Sequence, residues 1–380
     1  MTHRRMTVLQ VLPALNSGGV ERGVLEVAEA LVDHGHRSLV VSAGGRMEQE
    51  LVDRGSEHFA CPIGVKSPLT LWQVQWMRRF IQQQNIDIID IHSRLPGWIT
   101  WLAWKSLPEA QRPRLISSLH GLHTVSRYSG IMCCGELVIV VSETVRDYVL
   151  QNYPHVPPER LRLVHRGIEE AEYPRGYQPA TAWKQAFFDE FPQLRDQPLV
   201  TLAGRITRLK GHHDLLRALV SLRDAGVNAH GLIVGGAEAG KSAYLEEVQQ
   251  RVADYGLIGH VTFTGQRNDL KDIYAISRVV LSLSQTPESF GRTVAEALSI
   301  GTPVVAWNHG GVAEILAAQF PQGAIRKGDI AALSAQIRGI LERSEPPQIP
   351  PNRFTKAEML AKTLDVYAEI LDEQPHRAAA

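Results

Sequence analysis

Two glutamates lie eight positions apart, on either side of the start of a predicted helix. Glu288 precedes this helix and Glu296 lies within it. The first turn of a helix leaves backbone N–H groups unpaired, here at about Gly291, Arg292 and Thr293, and such groups favour an anion such as phosphate. Carboxylates bind hydroxyl groups well and bind phosphates badly. The pattern therefore indicates a diphosphate that joins two hydroxyl-bearing groups, a description that a nucleotide sugar fits.

Two other glycine-containing turns could also hold a phosphate. Residues 204–211 follow a predicted strand and place Arg205 and Lys210 where they suit a diphosphate. A solvated basic turn explains this segment equally well. Gly18 and Gly19 precede a predicted helix, whose dipole favours an anion, but a plain tight turn explains the pair as well. These residues alone leave both choices open.

A third glycine-rich segment resembles the phosphate-binding loop of ATPases. Gly235, Gly240, Lys241 and Ser242 match the pattern G-x-x-x-x-G-K-[ST]. Glu238 opposes this interpretation, because it would place a carboxylate inside the phosphate cradle. The predicted strand 279–283 also leads into Ser-Gln rather than an acid that could hold Mg²⁺. A P-loop ATPase is therefore kept as an alternative function.

The elements that must position these residues alternate between apolar strands and amphipathic helices. This alternation predicts an α/β fold with two doubly wound, Rossmann-like domains. The predicted strands cover residues 8–12, 38–42, 86–91, 115–119 and 137–141 in the first half, and 199–203, 231–234, 261–264, 279–283 and 303–306 in the second. We expect domains at 1–178 and 196–350 and a last helix at 353–372, with a proline-rich connection at 169–198.

Composition excludes several classes of protein. The 380 residues include 40 Lys plus Arg and 40 Asp plus Glu, so no net charge attracts nucleic acid. Three cysteines, Cys61, Cys133 and Cys134, are too few for a disulfide framework and suggest reduced thiols in the cytoplasm. The apolar start is interrupted by Gln10 and Pro13, which argues against a secretion signal. No segment approaches the roughly 18 apolar residues of a membrane span.

The motifs, taken in order, resemble the retaining glycosyltransferases of family four, which have the GT-B fold. The resemblance covers nearly the whole chain. It rests on Glu288 and Glu296 with the basic loop 204–211, and on Ser142-Glu143, Arg166-Gly167-Ile168, Gly301-Thr-Pro-Val-Val, Gly310-Gly311 and Glu314. It implies two Rossmann-like domains facing a cleft, a nucleotide sugar in that cleft, and a C-terminal helix that crosses back to the first domain. The glycine-rich segment then corresponds to a family loop without ATPase chemistry.

The resemblance also implies roles for individual residues. Glu296 would hold the ribose, Arg205 and Lys210 the diphosphate, and Glu288 the hydroxyls of the donor sugar, while His120 would lie near the reacting sugar. The remaining donor-binding residues would be Gly18, Gly19, Phe290, Gly291, Arg292 and Thr293. Arg292 stands where the family usually has an aliphatic residue, and Arg166 precedes Gly167 where Asn is commoner. No metal or other cofactor is expected, because the basic residues can neutralise the leaving diphosphate.

The first domain is expected to bind the acceptor. Parts of it resemble bacterial enzymes that extend the lipopolysaccharide core, and Arg22, Arg94 and Arg127 could meet acceptor phosphates or acidic sugars. The aromatic and basic stretches 72–80 and 98–105 could lie on the cytoplasmic face of the inner membrane, although ordinary core helices are the favoured interpretation. The expected donor is a UDP-linked hexose. A non-catalytic sugar-nucleotide sensor is the other alternative function.

Overall fold

The computed structural model describes residues 4–16, 18–237 and 242–372. By their internal contacts the described residues form two compact units. The first unit runs to Arg166 and resumes at Ala357, and the second runs from Gly167 to Lys356. The expected first domain, 1–178, extended further, but Ile168 bridges to Thr355 and Tyr173 lies in the core of the second unit.

The first unit is built on a parallel sheet. Within the described residues this sheet has seven strands in the order β3-β2-β1-β4-β5-β6-β7. Its middle strands are buried on both faces, as expected of a parallel sheet covered by helices. The strands are β1 Thr7–Val11, β2 Arg37–Ser42, β3 Glu57–Ala60, β4 Ile88–Ile91, β5 Arg114–Leu119, β6 Leu137–Val140 and β7 Leu161–Leu163.

Helices cover both faces of this sheet. They are α1 Gly19–Asp33, α2 Glu48–Asp53, α3 Gln73–Gln84, α4 Arg94–Lys105 and α5 Glu143–Asn152, joined by the C-terminal helix α13 Lys356–Asp372. The apolar face of α13 is formed by Met359, Val366, Tyr367 and Ile370, which pack in one cluster with Val8 and other core residues of the first sheet. The last helix therefore completes the first unit, although nearly 200 residues of the second unit precede it.

The second unit repeats the same architecture. Its described residues form a six-stranded parallel sheet in the order β10-β9-β8-β11-β12-β13. The strands are β8 Leu199–Ala203, β9 His230–Val234, β10 Val261–Gly265, β11 Val279–Ser282, β12 Val304–Trp307 and β13 Ala324–Ile325. The helices are α6 Thr181–Glu190, α7 His212–Asp224, α8 Ala243–Asp254, α9 Leu270–Ile276, α10 Arg292–Ile300, α11 Gly310–Gln319 and α12 Ile330–Leu341.

The expected fold class, two Rossmann-like domains with parallel sheets, is confirmed. The sequence analysis overlooked three short strands, β3, β7 and β13, which lie at the edges of their sheets. It also treated residues 169–198 as an irregular connection, whereas this segment contains α6. Phe187 of α6 is 1% exposed and stacks on Trp183, so burial of aromatic side chains holds the helix despite the flanking prolines.

Candidate functional site

Each sheet has a point at which the strand order reverses, and the segments that follow the strands there carry Gly18, Gly19, Arg205, Lys210 and Glu288. In the second unit the reversal lies between β8 and β11, and in the first it lies between β1 and β4. Loops that leave the carboxyl ends of two such strands run in opposite directions and leave a crevice between them. Ligands of open α/β sheets bind in this crevice, so each unit places its candidate residues where the fold favours binding.

In the second unit the loops after β8 and β11 meet through an ion pair. The Lys210 ammonium donates a hydrogen bond to Glu288 Oε1 at 2.7 Å, and the Ser284 hydroxyl donates to the same oxygen. Burial raises the pKa of Glu288, but the Lys210 charge and these two hydrogen bonds outweigh it, so the net pKa lies below the ordinary value. The carboxylate is therefore ionised at neutral pH and can accept hydrogen bonds from sugar hydroxyls.

A glycine pair at the start of α11 supports the Glu288 loop. The Gly311 N–H donates to the Glu288 carbonyl at 2.8 Å. A Cβ at Gly310, where φ is 66°, would lie 2.7 Å from the same oxygen, and one at Gly311 would lie 2.6 Å from Phe290 Cα. Only glycine allows this approach of two backbones. The pair therefore fixes the loop that carries Glu288.

Glu296 is engaged by side chains of its own unit. The Arg292 Nε donates to Glu296 Oε1 at 2.6 Å, and the Tyr274 hydroxyl lies 3.5 Å from Oε2. Glu296 is 5% exposed. Burial raises its pKa, and the Arg292 charge opposes that rise without cancelling it. Arg292, which stands where the family usually has an aliphatic residue, thus pairs through its guanidinium with Glu296. Glu296 is the residue that the resemblance assigns to the ribose, so the guanidinium does not add to the expected phosphate-binding groups.

The other expected donor residues of the second unit lie on the same loops. Arg205 is exposed immediately after β8, and Gly291 has φ 106° and begins α10, whose first turn includes the half-buried Thr293. Phe290 is 4% exposed and packs edge-on against Phe354, so its ring belongs to the core. Of the ATPase-like segment, Glu238, Ala239, Gly240 and Lys241 lie outside the described residues.

In the first unit, Arg166 connects the α1 loop with His120. Gly18 and Gly19 are exposed at the start of α1. Arg166 Nη1 donates to the Gly19 carbonyl, and Nη2 lies 2.8 Å from His120 Nδ1. The glycine turn and the histidine, which the sequence analysis predicted separately, are therefore brought together by a residue to which it gave no site role.

Behind His120 lies a buried polar network that the sequence analysis missed. His120 Nε2 lies 2.8 Å from His92 Nδ1, and His92 Nε2 lies 3.6 Å from Asp90 Oδ2. Asp90 also accepts hydrogen bonds from the hydroxyls of Ser118, at 2.9 Å, and Tyr367, at 2.7 Å. The signal in the sequence was Asp90, a charged residue inside the apolar strand Ile88–Ile91.

The three arginines expected to meet the acceptor do not share one environment. Arg94 donates to Ser129 Oγ at 3.3 Å and lies over the Tyr128 ring, and Arg127 is exposed on the same loop. Arg22 instead lies 3.6 Å from Glu26 and 3.4 Å from Glu50. Arg94 therefore contacts the loop that carries Arg127, whereas Arg22 is held by carboxylates.

One cluster imitates a catalytic triad without access to a substrate. Ser42 Oγ lies 2.9 Å from His58 Nε2, and His58 Nδ1 lies 3.1 Å from Glu48 Oε1. Ser42 is fully buried, so this cluster serves to connect β2, β3 and α2.

Across the described ranges, no group of three or more His, Cys, Asp and Glu side chains could hold a metal ion, and no helix has the length and apolar character to cross a membrane.

Two family models match the two halves of the chain. The model described as Glycosyltransferase Family 4 matches residues 17–172, and Glycosyl transferases group 1 matches residues 184–357. The chain is a glycosyltransferase of the family 4 type. The two matches together include the glycine turn, His120, Lys210, Glu288 and Glu296.

Similar proteins agree with this assignment. This chain is 26% identical over 340 residues to a phosphatidyl-myo-inositol mannosyltransferase from Mycolicibacterium smegmatis. The alignment covers 86% of this chain and 81% of the relative. A glycosyltransferase structure from Rickettsia africae superposes with a TM-score of 0.83 at 26% identity, covering 98% of this chain and all of that one. HepE from Anabaena, solved in complex with UDP and glucose, superposes with a TM-score of 0.79 at 20% identity over 96% of this chain and all of HepE.

Proposed function

We propose that this glycosyltransferase moves a hexose from a UDP-linked donor to a phosphorylated, lipid-linked saccharide, the lipopolysaccharide core, with retention at the anomeric carbon. The observation that carries the proposal is the contact between Lys210 and Glu288 at the strand-order reversal of the second unit. A cation for a diphosphate and an ionised carboxylate for sugar hydroxyls stand side by side there. HepE, with UDP and glucose bound, supports UDP as the nucleotide.

The charges on this unit suit the departure of a nucleoside diphosphate. Lys210, Arg205 and the N-terminus of α10 would stabilise the negative charge that develops on the leaving UDP. An ammonium has three N–H groups and the Glu288 contact uses one of them, so Lys210 can hold Glu288 and a phosphate oxygen together. Glu288 would orient the hexose, and Glu296 would hold the ribose. We propose that no metal ion is required.

A donor screen tests this proposal. UDP-, GDP- and ADP-hexoses are compared by thermal shift, and UDP release is measured with and without EDTA. We expect stabilisation by UDP-hexoses and turnover that persists in EDTA. Glu288→Gln should lower kcat by at least about tenfold with a smaller change in donor affinity, because its partner is the reacting sugar. Glu342→Gln, at an exposed position directly after α12, is the matched control. Stabilisation by no nucleotide sugar would contradict the proposal.

We propose a phosphorylated acceptor because Arg94 contacts the loop that carries Arg127. Guanidinium groups on adjoining segments would suit its phosphates, and the mannosyltransferase relative is named for a phosphorylated lipid. Transfer to lipopolysaccharide core is compared with transfer to the same material after dephosphorylation. Arg94→Gln and Arg127→Gln should raise the KM for the phosphorylated acceptor and leave UDP-hexose hydrolysis unchanged. Equal use of both acceptors would contradict this assignment.

The first unit has an exposed apolar surface that would suit contact with the cytoplasmic face of a membrane. Trp72 is 71% exposed and Leu71 is 61% exposed directly before α3, whereas Met77 and Phe80 of that helix lie in the core. Trp72→Ala should reduce flotation with anionic phosphatidylglycerol vesicles, and Ile258→Ala, at a 75% exposed position of the second unit, should not. No flotation of the unaltered protein would remove membrane contact from the proposal.

The ATPase and sensor alternatives gain no support from the family matches.

A further inference from the structure

The network behind His120 has a fixed direction because one of its ends can only donate. Arg166 Nη2 lies 2.8 Å from His120 Nδ1, and a guanidinium carries no acceptor. His120 Nδ1 must therefore accept with its lone pair, and the proton of the neutral ring must be on Nε2. This constraint determines which atom donates and which accepts in each of the following hydrogen bonds of the network.

The direction is continued through His92 to Asp90. His120 Nε2–H points to His92 Nδ1 at 2.8 Å, which must then accept. The proton of neutral His92 consequently lies on Nε2, the atom that faces Asp90 Oδ2 at 3.6 Å. Tyr367 and Ser118 donate to the same carboxylate. The hydrogen bonds of the network agree with this single assignment of protons, and the 3.6 Å between His92 Nε2 and Asp90 Oδ2 is an electrostatic contact rather than a hydrogen bond.

We propose that Arg166 and His92 are positioning residues that hold His120 as the neutral ring protonated at Nε2, so that His120 stays uncharged beside the donor sugar. The place of His120 beside the sugar is what the family resemblance implies, and it rests on the proposed function. The assignment of its protons rests on the contacts of the first unit.

The surroundings of the two rings favour the uncharged state. Burial holds the pKa of His120 well below its ordinary value, and the charges of Arg166, His92 and His123 act in the same direction. Burial also lowers the pKa of His92, although Asp90 opposes it. The titratable and charged groups that face the pair are Asp90 on β4, His123 after β5, Arg166 after β7 and, through Asp90, Tyr367 on α13. The neighbouring walls from α1 and α13 are Gly23, Val27, Met359 and Thr363, which do not titrate.

The space beside the network is too small for a ligand. Asp90, His92, His120 and Arg166 are among the residues that line a cavity of about 40 Å³, whereas pockets for small-molecule ligands have volumes of roughly 300 to 1,000 Å³. Asp90, His92 and Arg166 therefore contact other residues of the network rather than a ligand in this cavity. They can affect a substrate only by setting the protonation and orientation of His120.

Removing Arg166 should make turnover depend on pH. Arg166→Met leaves Nδ1 of His120 open to a proton and removes a charge that lowers its pKa, so the pKa of His120 rises. Below that raised pKa the ring is charged, and the ratio of variant to wild-type kcat should fall by about tenfold per pH unit. UDP release from UDP-glucose is measured between pH 5.5 and 8.5. Arg166→Lys, which keeps a positive charge and a donor, should give a constant ratio, even if a lower one.

The His92 position allows a second, independent comparison. His92→Asn keeps an acceptor near the position of Nδ1, whereas His92→Phe removes it. We expect Asn to retain most of kcat and Phe to lose at least about tenfold, with KM for UDP-glucose changed less in both. Thermal unfolding identifies any variant that fails to fold. Equal losses in the two folded variants, or a constant ratio for Arg166→Met across the pH range, would overturn the proposal.

NMR of the ¹⁵N-histidine-labelled protein reports the protons directly and needs no substrate. His120, assigned through His120→Gln, should show a protonated Nε2 and an unprotonated Nδ1 throughout pH 5.5 to 8.5. A proton on Nδ1, or titration in this range, would overturn the assignment. If the ring is found as expected but no nucleotide sugar is turned over, the proposed function fails and the proton assignment stands.

Discussion

The buried carboxylate of Glu296 is paired with a guanidinium one helical turn earlier. Glu296 is 5% exposed, whereas the Arg292 side chain is 35% exposed, so the arginine shields the acid from one side. A buried charge that loses its partner is costly, and much of that cost disappears if the acid becomes neutral. Arg292 therefore opposes the rise that burial causes in the pKa of Glu296.

Arg292→Leu should destabilise the protein in a pH-dependent way. The folded pKa of Glu296 is already raised, and loss of the Arg292 charge raises it further. Above that pKa the folded state carries an unpaired buried carboxylate, so the free energy of unfolding should fall by about 1 to 3 kcal/mol at pH 8. The loss in the free energy of unfolding should be smaller at pH 5, because this pH is nearer the pKa of the Glu296 carboxyl in the unfolded chain.

Urea unfolding at the two pH values measures this effect. The double variant with Glu296→Gln is the control, because a neutral amide needs no cationic partner, and Arg292→Leu should cost less in that background. An identical loss at both pH values, with no coupling between the two positions, would show that the contact does not hold the charge of Glu296.

At the level of elements, the start of α11 determines where Glu288 stands. Gly310→Ala places a Cβ 2.7 Å from the Glu288 carbonyl oxygen, at a backbone φ of 66° that alanine rarely adopts. The loop must move, so we expect a loss of about 1 to 3 kcal/mol in stability and weaker stabilisation by UDP. Gly339→Ala is the matched control.

Gly339 lies inside α12, and a Cβ there has no neighbour within 4 Å. Alanine should therefore be neutral or stabilising by about 0.5 to 1 kcal/mol. Chemical denaturation and thermal shift with UDP are measured for both variants. If Gly310→Ala behaves as Gly339→Ala does, the loop is not fixed by the glycine pair.

At the level of the whole molecule, the first unit depends on the end of the chain. Met359, Val366, Tyr367 and Ile370 of α13 are buried in its core. Each buried side chain of this size contributes roughly 1.5 to 3 kcal/mol. Their sum is comparable to the total stability of about 5 to 15 kcal/mol of a typical domain.

Removal of residues 357–380 should therefore unfold the first unit and leave the second folded. We expect loss of the first unit's amide signals in NMR and retained stabilisation by UDP, since Lys210, Glu288 and Glu296 lie in residues 167–356. Lys362→Ala, at an exposed position of α13, is the control for changes in this helix and should be neutral. An intact first unit in the shortened protein would contradict the role assigned to α13.

The sequence by itself determined the repeated strand-and-helix pattern, because burial on both faces of a parallel strand leaves a continuous apolar run. It also determined that Glu288 and Glu296 frame a helix start, since caps and spacing are local. It could not determine that Arg292 faces Glu296, because an (i, i+4) pair is one of several orientations that an arginine can adopt.

Only the tertiary structure decided which distant residues meet. Arg166 and His120 are 46 positions apart, and Tyr367 and Asp90 are 277 apart. These contacts follow from the strand order of the sheet and from the return of α13 to the first unit. The helix α6 in the proline-rich connection was missed for a related reason, since its stability comes from packing against the second unit rather than from local propensity.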